Sequence, residues 1–137
     1  MCSNIDDFNR GAALILAALY RSFPLPLVLK TDSLDAGADL PDDIRETRLR
    51  ERAAIYEAAA VFLMEEGFVR YGSQVKGGGI FTGTVLTSRG LAALNKTSAP
   101  HIQGVDTLGD KLLGFAKNTA SETFRDGVKQ VVLALIS

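Results

Sequence analysis

The sequence predicts an α+β fold that is mainly helical, and three observations predict it. Apolar residues recur at spacings of three and four over three long stretches, the signature of amphipathic helices. Two short apolar runs with β-branched residues flank a polar, glycine-rich tip at residues 72–79, as in a β-hairpin. Pro24 and Gly67 close the first two helical stretches instead of interrupting them. At 137 residues, 47% hydrophobic and 23% charged, the chain fits one globular domain and excludes general disorder.

In the first helix Ile5, Phe8, Ala12, Ile15, Leu16, Leu19 and Phe23 form one apolar stripe. Ser3 or Asn4 can cap it, and Asp6 and Asp7 sit near the positive end of its dipole. Pro24 and Pro26 stop it. Residues 25–30 read as a brief strand. Residues 31–43, rich in Asp, Gly and Pro, read as a loop with room for one helical turn after Asp32 or Ser33.

Residues 44–66 are the strongest helix. Leu49, Ala53, Tyr56, Ala60 and Leu63 form one stripe, with Ile55, Ala59 and Phe62 beside it. A helix apolar over so wide an arc packs on two sides, which predicts a central place in the core. Asp42 or Asp43 can cap its start, and Gly67 followed by apolar Phe68 fits a Schellman ending. Residues 68–71 and 80–87 are the hairpin strands. Thr87 or Ser88 caps a short helix over 88–94. Residues 96–104, with Pro100, form a linker, and a last helix is expected over 106–136, weakened by Gly109, Gly114 and Gly127. The expected organisation is a domain over 1–96, with 97–137 as linker and C-terminal helix extending it.

Charge and composition narrow the function. The formal net charge is -1, so no global basic field exists for nucleic acid. The total hides a pattern: residues 1–44 carry three basic and seven acidic groups, and residues 45–96 carry eight basic and five acidic. One cysteine, Cys2, and one histidine, His101, exclude an internal disulfide framework and any site that needs two of either. No nucleophile elbow, paired-carboxylate motif or cofactor motif stands out, so the chain is read as no enzyme and as needing no cofactor. The apolar run of residues 12–20 follows Asp6, Asp7 and Arg10 and is far short of the roughly 20 residues of a membrane span. A cytoplasmic protein with no membrane partner is expected.

The segment Phe62-Leu63-Met64-Glu65-Glu66-Gly67-Phe68-Val69, then a glycine-rich hairpin, then Leu86-Thr87-Ser88-Arg89-Gly90-Leu91-Ala92-Ala93-Leu94 resembles the winged-helix class of helix-turn-helix domains, of the PadR and MarR kind. The resemblance covers roughly residues 45–95. It implies a winged-helix core, the helix over 44–66 in the major groove of double-stranded DNA, the hairpin as wing, and a homodimer built by terminal helices. Two departures stand beside it. Residues 32–43, where the first helix of the helix-turn-helix should lie, hold five aspartates and little helical pattern, and the candidate recognition helix is longer than usual.

Arg45, Arg48, Arg50 and Arg52 open the long helix, where arginine suits phosphate contact and guanine readout. Glu46 and Glu51 are interleaved with them, so a solvated face of i,i+4 pairs explains the same residues. Candidate DNA contacts are Arg45, Arg48 and Arg52 on the helix and Arg70 and Lys76 on the wing. The wing is also explained as an ordinary hairpin loop. The aspartates of 32–43 do not form a calcium loop, because Leu34 and Ala36 would fall on inner ligand positions. They offer either an acidic surface for a basic protein partner or simply a soluble loop. Phe124, Val128, Val131, Val132 and Leu135 are the candidate interface for self-association, unless the tail folds back on the first helix. Two functional readings stay open: a DNA-binding transcription regulator, and a winged helix that binds protein without touching DNA, such as an adaptor or an immunity-type inhibitor.

Overall fold

The computed structural model describes residues 4–35, 37, 40–75 and 79–95. In chain order these form α1 (Asn4–Ser22), β1 (Leu27–Lys30), a 3-10 turn (Thr31–Ser33), α2 (Arg45–Glu65), β2 (Val69–Arg70), β3 (Ser73–Gln74), β4 (Ile80–Leu86) and α3 (Ser88–Leu94). The fold is α+β and mainly α. Lys76, the expected C-terminal helix with Phe124, Val128, Val131, Val132 and Leu135, and the expected boundary at residue 96 lie outside the described residues.

The helix enclosed by the core is α1, where the sequence pattern points to α2. Residues 9–17 of α1 are all buried. Ala12, Ala13, Leu14, Ile15, Leu16 and Ala17 run apolar around the whole helix, which suits a helix with no solvent face there. Gly11 lets α2 come close: a Cβ at that position would stand 2.5 Å from Cδ1 of the Tyr56 ring. The two ends of the expected stripe fall outside the core, with Ile5 64% and Phe23 36% exposed.

β4 is the centre of an antiparallel sheet, with β1 on one edge and β2 on the other; β3 also pairs with β4. Leu27 faces Thr84 and Leu29 faces Phe81, so β4 spends one residue more than β1 over that stretch, a bulge. Leu29, Val69, Phe81 and Leu86 turn into the same core as α1, Tyr56, Ala59, Ala60 and Leu63. Among the described residues no helix is long and apolar enough to cross a membrane.

α2 ends as its sequence predicts. Gly67 takes a φ of +82°, its N–H donates to Met64 O, and the Phe68 N–H donates to Leu63 O. That is the paired bonding of a Schellman ending, which spends two carbonyls the helix would otherwise leave open. Thr87 Oγ1 accepts from the Gly90 N–H at 3.0 Å and caps α3. The start of α2 differs from expectation. Its N-cap is Ile44 with no side-chain cap, because Asp42 turns instead to the Arg45 guanidinium.

Candidate functional site

The arginines that open α2 are the residues on which a DNA contact would rest, and the structure turns most of them toward the protein. Arg45 donates from Nε to Gly37 O at 3.0 Å and from Nη2 to Leu40 O at 2.7 Å, and it pairs with Asp42. It therefore ties the loop over residues 37–42 to the helix. Arg48 donates to Glu51 Oε2 at 2.7 Å and to Asp7 Oδ2 at 3.2 Å, joining α2 to α1. Arg50 does face solvent and pairs with Glu46 one turn back, at 3.3 Å.

Arg52 is 0% exposed. A buried guanidinium cannot reach a phosphate or a base edge, so Arg52 is removed from the candidate DNA contacts. Its Nη1 donates to Asp35 Oδ2 at 2.9 Å, and its Nε stands 3.5 Å from Asp7 Oδ1. Asp35 also accepts from the Tyr56 hydroxyl at 2.8 Å and, through its other oxygen, from the Gly37 N–H at 2.8 Å. Asp7 and Asp35 are both buried. An ion this far from water is tolerated only when paired and hydrogen-bonded. Arg48 and Arg52 set their charges against those of Asp7 and Asp35, and the buried Arg10 adds a third cation close enough to act on Tyr56.

The network has clear electrostatic consequences. Glu51, with help from Asp7, holds the Arg48 guanidinium charged above its ordinary range, against a smaller opposing effect of burial. Burial first, and then the Asp35 charge, push the Tyr56 phenol far above its usual value, so it stays a neutral donor. The aspartate-rich segment is thus not a free acidic surface throughout, because Asp35 spends both oxygens inside.

Asp7, Asp35 and Tyr56 were not among the candidate site residues. One signal points to the cluster: positions 45, 48, 52, 56, 59 and 63 continue one helical stripe, and Arg52, Tyr56, Ala59 and Leu63 on it are buried. Of the expected stripe, Tyr56, Ala60 and Leu63 are buried, while Leu49 and Ala53 are only half-buried.

The opposite side of α2 is exposed and carries a different chemistry. Glu51, Ala54, Ala58, Val61 and Glu65 follow one another at spacings of three and four, all exposed. A shallow groove of about 400 Å³ runs along Ala54, Glu57, Ala58, Val61, Phe62 and Glu65. Glu57 Oε1 accepts from Gln74 Nε2 on β3 at 3.3 Å, which sets the hairpin beside this face. Arg70 is exposed on β2, five residues beyond the end of α2, and Arg45 opens a helix of 21 residues, about 30 Å long. Among the described residues no three carboxylate, thiol or imidazole groups come together to hold a metal ion. No family model matches the chain, and no curated protein or solved structure matches it either.

Proposed function

We propose that this chain is a protein-interaction module on a winged-helix plan, with the outward face of α2 as its binding surface and a cationic amphipathic helix as its partner. One observation carries the reading. Arg45, Arg48 and Arg52 are spent on internal partners, while Glu57 and Glu65 rim an apolar strip of Ala54, Ala58 and Val61. A helix that docks on DNA needs the reverse, with cations outward to displace the counterions of phosphate. The small side chains let another helix approach closely, and their three-four spacing suits interdigitating side chains. The carboxylate rim selects a basic partner. The winged-helix part of the reading is supported by the sheet order β1-β4-β2, the glycine-capped exit from α2 and the threonine-capped entry to α3. Adaptor and immunity-type inhibitor are both roles such a module can fill.

The test is fluorescence anisotropy of two labelled probes at low and moderate salt: a leucine–lysine amphipathic helical peptide and a random-sequence DNA duplex. The peptide is expected to bind and to be lost in the doubly substituted Ala58→Arg, Val61→Arg protein. The duplex is expected to stay free at high micromolar protein. Duplex binding that weakens steeply with salt and falls in Arg50→Ala would reinstate the transcription regulator. Binding of neither probe, or peptide binding indifferent to the two substitutions, removes the α2 face as the site.

A further inference from the structure

A second groove lies beyond the C-terminal end of α2 and shares no lining residue with the groove on the outward face of that helix. It encloses about 630 Å³ between the residue that follows α1, the exit of α2 and the short helix α3. Its apolar lining comes from Phe23, Leu86, Leu91 and Ala92, and two guanidinium groups, Arg70 and Arg89, line it as well. Phe23 keeps a third of its surface exposed here, unusual treatment for a large aromatic side chain.

These two arginines differ from those of α2. Among the described residues, ion pairs account for Arg45, Arg48, Arg50 and Arg52, and no carboxylate stands within pairing distance of Arg70 or Arg89. Glu65 and Glu66, close in sequence, are not part of the lining. Arg89 is nonetheless held in place. Its guanidinium lies 5.0 Å from the centroid of the buried Phe68 ring, a cation–π contact.

Two guanidiniums with no carboxylate partner among the described residues, set over an apolar floor, call for carboxylates carried on an apolar body. Arginine pairs carboxylates through two parallel hydrogen bonds, and arginine and aromatic side chains together make the energetic centre of many protein interfaces. The concavity favours a peptide over a duplex. Side chains of a peptide can fill it, whereas a DNA backbone is stiff, polar and convex and would leave the Phe23 and Leu91 floor uncovered. We infer that the groove between Phe23 and α3 is a docking site for an acidic amphipathic peptide segment of a partner protein, with Arg70 and Arg89 pairing its carboxylates. This goes beyond the α2 reading, since it uses another surface and the opposite charge. Either can stand without the other.

Selection from a random peptide display library on the whole chain tests it. The enriched sequences are expected to combine Asp or Glu with Leu or Phe. Their binding, remeasured by anisotropy, is expected to fall at least about tenfold in the Arg70→Glu, Arg89→Glu protein and less in Arg70→Gln, Arg89→Gln. Phe23→Ser is expected to weaken the same peptides and leave the leucine–lysine probe unaffected. Both arginines are exposed, and a circular dichroism melt checks that the variants fold. Enrichment of basic or uncharged sequences overturns the inference. So does no enrichment, or acidic peptides that bind wild type and variants alike. A labelled duplex that binds in place of peptides and is lost on the same substitutions would assign the two guanidiniums to phosphate instead.

Discussion

Arg52 and Asp35 meet 2.9 Å apart inside the protein, and neither side chain reaches solvent. The pair bridges α2 and the aspartate-rich loop. Asp35→Ala is therefore expected to lower the unfolding free energy by about 3–5 kcal/mol, the usual cost of breaking a buried ion pair, because Arg52 keeps only the longer contact to Asp7 and the Tyr56 hydroxyl loses its acceptor. Asp42→Ala removes a partner of Arg45 that is largely in solvent and is expected to cost under about 1 kcal/mol. Urea titrations of the two variants check the difference. Equal losses would mean that burial of the ion pair decides nothing.

Tyr56 gives the fold a weakness at high pH. Its phenol stays protonated in the folded chain because burial and Asp35 raise its pKa above the unfolded value of 10.0. The unfolded chain then releases that proton first as the pH rises, so it binds fewer protons than the native state. The contribution is fully present below pH 10 and is lost above it, at up to about 1.4 kcal/mol per pH unit. Tyr56→Phe is expected to lower stability at pH 7, because Asp35 loses a donor, and to flatten the decline above pH 10. Thermal melts of both proteins across that range decide it. An unchanged slope would place the phenol outside the buried network.

Gly67→Ala is expected to destabilise by about 1 kcal/mol, because the Schellman ending holds this residue at a φ of +82°. Gly67→Asn should cost less, since asparagine tolerates that backbone region better. Denaturant midpoints for the three proteins are the measurement. An alanine variant as stable as wild type would show that the positive φ is not required.

Those features differ in how far the sequence discloses them. Gly67 before Phe68, and Thr87 ahead of a short apolar helix, are local signals. Each acts on a backbone bond within a few residues, and both ends form where the pattern places them. The α+β class follows from helical and hairpin spacing for the same reason. The buried charges are not local. Asp7 reaches Arg48 across 41 positions and Asp35 reaches Arg52 across 17, so no spacing rule connects them. Arginine and aspartate also count as surface residues by default, and reading them that way starts the core stripe of α2 at Leu49 and Ala53 where the structure has Arg52, although Tyr56, Ala60 and Leu63 are buried as the pattern predicts. The enclosure of α1 is not local either, because α2 and the sheet, distant in sequence, supply the residues that surround it.

The joint between α2 and α3 has a consequence for whatever enters the groove beside it. Thr87 N–H donates to Phe68 O, Thr87 Oγ1 donates to Gly67 O, and a Cβ on Gly90 would lie 2.1 Å from Phe68 O. The strand that carries Arg70 and the helix that carries Arg89 are thus fastened to each other through backbone atoms. The backbone positions from which the two arginines spring are settled before any ligand arrives, and Arg89 is held further by the Phe68 ring. A ligand then spends little of its binding free energy on ordering the receptor, and the entropy lost on association falls mainly on the ligand side.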